Sequence, residues 1–200
     1  MKDVLYIYDY GFDDSISFLN KLTESLSKTV ATGHMCNRLL SHSKINRAIK
    51  DCDEIWMLGH GGPDGLYSKP KFGVLVDFDR YLISSRNVQF MRDKACVGIW
   101  CHANKFAEKY KLSGLFSGMI LSEQVECGHY LGYTPSKETI DACNNYFVKS
   151  LRYCLSTLKL YMIPKVMKGL ADIDGLDRNI IEYNFNNIHF YIKGEIVQWN

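Results

Sequence analysis

The sequence has almost no excess of charge of either sign. Its 200 residues carry 24 lysine and arginine side chains against 22 aspartate and glutamate side chains, a formal net charge of +2. No block of like charges interrupts this balance. Such a chain lacks the basic surface by which many proteins hold nucleic acid or an anionic membrane. We therefore expect neither nucleic acid nor a membrane among its partners.

Long apolar runs and targeting signals are also missing. No run approaches the roughly 18–20 apolar residues that a membrane-spanning helix needs. The N-terminus lacks the basic, apolar and small-residue regions of a secretory signal peptide. These absences favour a soluble protein with a cytoplasmic location.

The cysteines show no pattern of a disulfide or zinc framework. There are 7 of them, an odd number, and no two form a C-x-x-C pair. Their scatter is typical of reduced, mostly buried thiols. The cysteines and histidines do not cluster at the spacings of a structural zinc site either. We expect no metal and no organic cofactor.

Short apolar segments dominate what is present. Four of them are nearly continuous in apolar residues, which is the pattern of parallel strands buried on both faces. Helical patterns fill the intervals between them, as with Ile45 and Ile49, four residues apart. This alternation predicts an α/β protein, a three-layer α/β/α sandwich with a mainly parallel sheet. The four predicted strands cover residues 4–8, 54–59, 96–101 and 116–122, with a weaker candidate at 29–32.

The length suits one domain over residues 1–200, with the core sheet within 1–124. Between the second and third strands, residues 73–78 and 81–83 predict a small hairpin. The chain turns helical from Ser136 to about Ala171, and Pro164 should break or kink that helix. A terminal hairpin is predicted for residues 188–192 and 195–199, around Lys193-Gly194. The sequence does not indicate an oligomeric state.

Two chemically capable residues follow predicted strands directly. His60 follows the second strand, and Cys101 ends the third. Parallel strands place such residues at one edge of the sheet, where open α/β sheets bind ligands. A cysteine nucleophile needs a nearby base, and an imidazole supplies one. The amides of Gly61 and Cys101 are candidates to hold an oxyanion, and a helix starting after Cys101 should lower the pKa of its thiol.

A hydrophobic strand ending in His-Gly, followed by one ending in Cys, resembles the caspase–gingipain–separase group (clan CD) of cysteine peptidases. The segment His-Gly-Gly-Pro-Asp-Gly-Leu at residues 60–66 is especially similar to the CHAT-type members. The resemblance covers about residues 1–124. It implies a caspase-like fold and a cysteine endopeptidase that acts on a peptide or protein. In that family, His60 would be the acid/base of a His-Cys dyad and Cys101 its nucleophile.

The resemblance also implies a substrate pocket. Residues after the strand that follows the nucleophile often line it, and Ser122 and Glu123 fall there; Gly62 leaves the backbone open to a substrate. Glu123 would suit a basic P1 side chain. The caspase Gln-Ala-Cys-x-Gly signature is replaced by Ile-Trp-Cys-His-Ala at residues 99–103, so a preference for aspartate is not predicted.

Other interpretations remain open at this stage. Cys101 also fits an ordinary buried cysteine, and Asp64 either caps a turn or orients His60. The same fold without catalysis would give a module that binds a peptide or protein. A third alternative is a small-molecule hydrolase or transferase that uses the same two residues.

Overall fold

The computed structural model describes residues 2–8, 14–26, 31–36, 41–68 and 81–198. Over these residues the protein is a mixed α/β fold with a mainly parallel central sheet of seven strands and a second sheet of three. The strands are β1 (Lys2–Tyr8), β2 (Ala31–Cys36), β3 (Glu54–Leu58), β4 (Gly61–Gly62), β5 (Gly65–Tyr67), β6 (Tyr81–Ile83), β7 (Ala95–Ile99), β8 (Gly114–Ser117), β9 (Ile188–Ile192) and β10 (Glu195–Ile196).

The central sheet has the order β10-β9-β8-β7-β3-β1-β2. The five strands from β8 to β2 are parallel, and β9 and β10 are antiparallel to their neighbours. The chain passes from β1 to β2 on one side and then to β3 on the other, so the strand order reverses between β1 and β3. Open α/β sheets bind ligands at the carboxyl ends of the strands at such a reversal.

Helices cover both faces of this sheet. In the described residues they are α1 (Asn20–Leu26), α2 (His42–Asp51), α3 (Val88–Met91), α4 (Ala103–Tyr110), α5 (Gln124–Leu131), α6 (Lys137–Thr157), α7 (Ile163–Gly169) and α8 (Arg178–Asn186). Short 3-10 helices, Asp14–Leu19 and Leu160–Met162, precede α1 and α7.

Two hydrophobic cores result from the alternation of side chains along the strands. Trp56 and Leu58 of β3 face one core with α1 and α5–α8. Ile55 and Met57 face the other with α2–α4 and the small sheet β4–β5–β6. Each central strand therefore needs apolar residues at consecutive positions, which is why the strands could be predicted as uninterrupted apolar runs.

The structure changes several predicted boundaries. The third and fourth strands end at Ile99 and Ser117 rather than at residues 101 and 122. The predicted helix from Ser136 is not continuous: α6 ends at Thr157, and Pro164 lies in the first turn of α7. A proline fits there because a first-turn N–H has no partner within the helix.

The two predicted hairpins have different outcomes. The terminal one forms, and its strand β9 pairs with β8, so the hairpin extends the central sheet. For the other, residues 73–78 lie outside the described residues, and residues 81–83 form β6, which pairs with β5. Over the described part of the chain, no helix combines the length and the apolar character needed to cross a membrane.

Buried thiols should make the protein less stable in alkali. Burial raises the pKa of Cys127 and of Cys101 to about 11, and it raises the pKa of Cys52, Cys143 and Cys154 as well. Unfolded cysteine loses its proton at lower pH, so the folded state binds more protons between about pH 9 and 11. Stability should therefore fall as pH rises through this window, by roughly 1–2 kcal/mol for each thiol that shifts this far.

Urea unfolding at pH 7.5 and 10.5, in the presence of a reductant, measures this loss. Cys127→Ala should give a smaller difference between the two pH values than the wild type. Equal stability of the wild type at both pH values would contradict the expectation.

Candidate active site

His60 and Cys101 follow the aligned ends of two neighbouring strands. Leu58 of β3 pairs in register with Ile99 of β7, and the N–H of Gly59 donates to the Ile99 carbonyl at 3.1 Å. His60 and Cys101 each lie two residues beyond this aligned pair, with a bend at Gly59 between Leu58 and His60. Neighbouring strands lie about 4.8 Å apart, so both residues stand at the carboxyl edge of the sheet on adjacent strands.

The chain changes direction at Gly59, just before His60. Gly59 has a φ of 145°, a conformation that glycine adopts far more readily than other residues. His60 then leads into the hairpin of β4 and β5, and its carbonyl accepts a hydrogen bond of 2.7 Å from Tyr67 N–H. Asp64 lies in the turn of this hairpin, and its carboxylate pairs with Lys109 of α4 at 2.7 Å. Asp64 therefore lies in a turn, as the first of its two interpretations predicted.

Gly61 and Gly62 lie against Trp100. A Cβ on Gly61 would fall 2.1 Å from Cδ1 of Trp100, and the indole N–H of Trp100 donates to the Gly62 carbonyl at 3.1 Å. Close packing on the indole thus accounts for the absence of a side chain at Gly61. His60 and Tyr67 form a hydrogen-bonded antiparallel pair, so the N–H of Gly61 points away from β5. That direction is compatible with the predicted oxyanion contact.

Cys101 is partly buried, and its surroundings favour the neutral thiol. Its Sγ lies 4.0 Å from the Ile120 carbonyl oxygen. Burial is the main cause that raises the pKa of the Cys101 thiol to about 11; the Ile120 backbone opposes it, and the carboxylates of Glu126 and Glu123 add smaller increases. The predicted lowering of this pKa is therefore wrong, because burial outweighs the groups that favour the thiolate.

The residue after Cys101 holds an unusual backbone conformation. His102 has a φ of 65°, in the left-handed region, and caps α4. Its N–H donates to the Gly118 carbonyl at 3.0 Å, which ties this turn to the end of β8. A left-handed non-glycine residue costs energy and persists only where its surroundings fix it. The turn after Cys101 is thus held by the neighbouring strand.

Ser122 and Glu123 directly precede α5, and the Glu123 carboxylate is close enough to Cys101 to affect its thiol. Both backbone N–H groups donate to Glu126 Oε2, at 2.6 and 3.0 Å, and the Ser122 hydroxyl donates to the same oxygen at 3.2 Å. The Glu123 side chain accepts from the backbone of Glu126, which completes a capping box. Both predicted pocket residues therefore stabilise the start of α5, and the Glu123 side chain stays exposed.

Two buried asparagines, which the sequence did not single out, hold the segment between β8 and α5. Asn184 of α8 accepts from Leu121 N–H at 2.7 Å and donates to its carbonyl at 3.0 Å. Asn144 of α6 donates to the Ser122 carbonyl at 3.1 Å, and its own Oδ1 is buried without a partner. Asparagine inside a helix gives no sequence signal of this role, because the contact joins distant parts of the chain.

Asn184→Ala should cost about 2–4 kcal/mol of stability, because it leaves the N–H and the carbonyl of Leu121 buried and unpaired. Urea unfolding measures this loss. Asn179→Ala, an exposed position on the same helix, should stay within about 0.5 kcal/mol of the wild type. Equal effects of the two substitutions would contradict the role given to Asn184.

The described residues offer no metal site, since no three His, Cys, Asp or Glu side chains are grouped to hold an ion. A comparison of the whole chain with known family models and with curated proteins finds no match in either. Any function of the site must therefore be inferred from these residues and their geometry.

Proposed function

We propose that the protein is a cysteine endopeptidase on a caspase-like fold, with Cys101 as the nucleophile and His60 as the acid/base. The observation that supports this most is the alignment of β3 and β7, whose last residues each stand two positions before His60 and Cys101. The strand order reverses between β1 and β3, so His60 follows a strand at the reversal and Cys101 follows its other neighbour, β7; open α/β sheets bind ligands at the carboxyl ends of strands there.

The state of the thiol decides the first step. A Cys101 thiol with a pKa of about 11 is neutral near pH 7. His60 must therefore remove its proton as the sulfur attacks the scissile carbonyl carbon. The carbonyl oxygen becomes an oxyanion, held by the N–H groups of Gly61 and Cys101.

The remaining steps return the enzyme to its starting state. The imidazolium of His60 gives its proton to the leaving amine as the C–N bond breaks, which leaves a thioester on Cys101. Water then gives a proton to His60 and attacks the thioester carbon. The C–S bond breaks, the acid product leaves, and His60 returns the proton to the Cys101 sulfur.

Acidic groups beside Cys101 support a basic P1 side chain. The carboxylates of Glu123 and Glu126 both act on the Cys101 thiol, and none of the ion pairs among the described residues neutralises either one. An arginine or lysine side chain of the substrate supplies N–H donors and a positive charge that match these carboxylates. Gly62 and Ser122 would complete the pocket wall.

Fluorogenic peptides with arginine, lysine or aspartate at P1 test this proposal. We expect cleavage after arginine and lysine, and loss of most of this preference in Glu123→Gln, which keeps a capping oxygen but removes the charge. Glu195→Gln, at an exposed position of the edge strand β10, is the matched control and should not change the preference. No cleavage of any peptide, or equal cleavage after aspartate, would contradict the proposal.

One observation favours a second candidate, a caspase-like module that binds a peptide or protein without cleaving it. A thiol whose pKa is raised by burial and by two carboxylates is a poor nucleophile by itself. This module would bind an arginine-containing peptide with the same affinity in the wild type and in Cys101→Ala. Calorimetry and a turnover assay on the same peptide distinguish it from the peptidase.

A further inference from the structure

Trp100 directly precedes Cys101, and the side chain of Ser117 in β8 forms two hydrogen bonds with the Trp100 backbone. The Trp100 N–H donates to Ser117 Oγ at 3.0 Å, and the same hydroxyl donates to the Trp100 carbonyl at 2.8 Å. Both residues are buried, with Trp100 only 2% exposed. The backbone that leads into Cys101 is thus fixed to the neighbouring strand.

The side chain of Trp100 reaches the other half of the proposed dyad. Its indole N–H donates to the carbonyl of Gly62, and its ring fills the space beside Gly61. These two glycines follow His60 directly. The His60 carbonyl is itself hydrogen-bonded to Tyr67 N–H, so the indole contacts the first strand of the hairpin directly after His60, while β5 is held on its other side by β6.

We infer that Trp100 is a positioning residue that sets the separation of His60 and Cys101. This inference rests on the proposed function, in which the two side chains must meet. An indole combines a rigid ring with a single N–H donor in the plane of the ring. The ring sets how closely Gly61 approaches β7, and the N–H holds the Gly62 carbonyl in place. Phenylalanine keeps much of the ring and loses the donor.

A second tryptophan provides a matched control. Trp56 of β3 is also buried, at 5% exposed, and its indole N–H donates to Glu54 Oε1 at 2.7 Å. This hydrogen bond joins two residues of the same strand and does not connect separate segments of the chain. Trp56→Phe therefore removes the same kind of bond without touching the hairpin.

Peptide hydrolysis and hydrogen exchange test the inference. In Trp100→Phe we expect kcat to fall about 10–100-fold, with KM changed less than about threefold, because displacing a reacting group reduces the rate of the bound complex. The amide of Tyr67 should exchange about tenfold faster, because its bond to His60 opens more often. Trp56→Phe should leave kcat within about twofold and the Tyr67 amide unchanged.

A residue closer in shape to tryptophan keeps the inference testable if Trp100→Phe fails to fold. Trp100→3-benzothienylalanine keeps the bicyclic ring and removes only the N–H, so it should show the same two effects. Equal losses of kcat in the Trp100 and Trp56 variants, or an unchanged Tyr67 amide, would overturn the inference. Absence of hydrolysis by the wild type would instead overturn the proposed function, and hydrogen exchange would still report on the role of Trp100.

Discussion

Replacing Cys101 with alanine should lower peptide hydrolysis at least about 1,000-fold, because no thioester can form without the sulfur. His60→Ala should cause a loss of the same order, since a thiol with a pKa of about 11 stays protonated near neutral pH without a base. The double variant should be hardly worse than either single one, because residues that act in one step are not additive. Steady-state rates on a peptide with arginine at P1 measure all three.

Two control substitutions distinguish a loss of catalysis from a loss of folding. Cys127 is a fully buried thiol on α5, and His129 is an exposed histidine on the same helix. Cys127→Ala and His129→Ala should keep rates within about threefold of the wild type, although the first loses some stability through its cavity. Retention of full activity by Cys101→Ala would contradict the assignment of the nucleophile.

Replacing Gly61 with alanine should have the second-largest effect, a loss of hydrolysis of about 100-fold or more. The added Cβ would fall 2.1 Å from Cδ1 of Trp100 and 2.6 Å from the Gly65 carbonyl oxygen. Neither neighbour yields easily, because the indole is buried and the carbonyl belongs to the hairpin backbone. Alanine keeps the Gly61 N–H, so the loss would report on the position of the hairpin rather than on a missing donor.

Overpacking at Gly61 should also cost about 1–3 kcal/mol of stability, which urea unfolding measures. Gly169→Ala, at the end of α7, is the control, because no atom lies within 4 Å of the added Cβ. It should change neither rate nor stability beyond about 1 kcal/mol. If Gly61→Ala is as active as Gly169→Ala, the hairpin does not govern the site.

The central strands could be read from the sequence because both of their faces are buried. β1, β3 and β7 each show an apolar run, and His60 and Cys101 follow two of them. A parallel topology places both residues at the same edge of the sheet, and the structure shows that their strands β3 and β7 are neighbours. The prediction of an α/β fold with a mainly parallel sheet is confirmed for these reasons.

Contacts between distant segments could not be read in this way. Asn184 and Leu121 are 63 residues apart, and nothing local in either predicts their paired hydrogen bonds. The helix α5 was missed because Cys127 is the one buried residue on it, which leaves no apolar stripe in its sequence. For α8 the signal was present, since Ile180, Ile181 and Phe185 follow the capping Asp177 at helical spacing. The pKa of Cys101 was predicted in the wrong direction because burial depends on the packed loop after β8, which the sequence does not show.

The most direct test of the proposed dyad is covalent labelling with an acyloxymethyl ketone that carries arginine. The thiolate displaces the carboxylate leaving group, and mass spectrometry of peptides locates the modified residue. We expect Cys101 to be labelled at least about tenfold faster than any other cysteine in the wild type, and this advantage to disappear in His60→Ala. If Cys101 is labelled no faster than the other cysteines of the folded wild-type protein, His60 and Cys101 do not form a catalytic dyad.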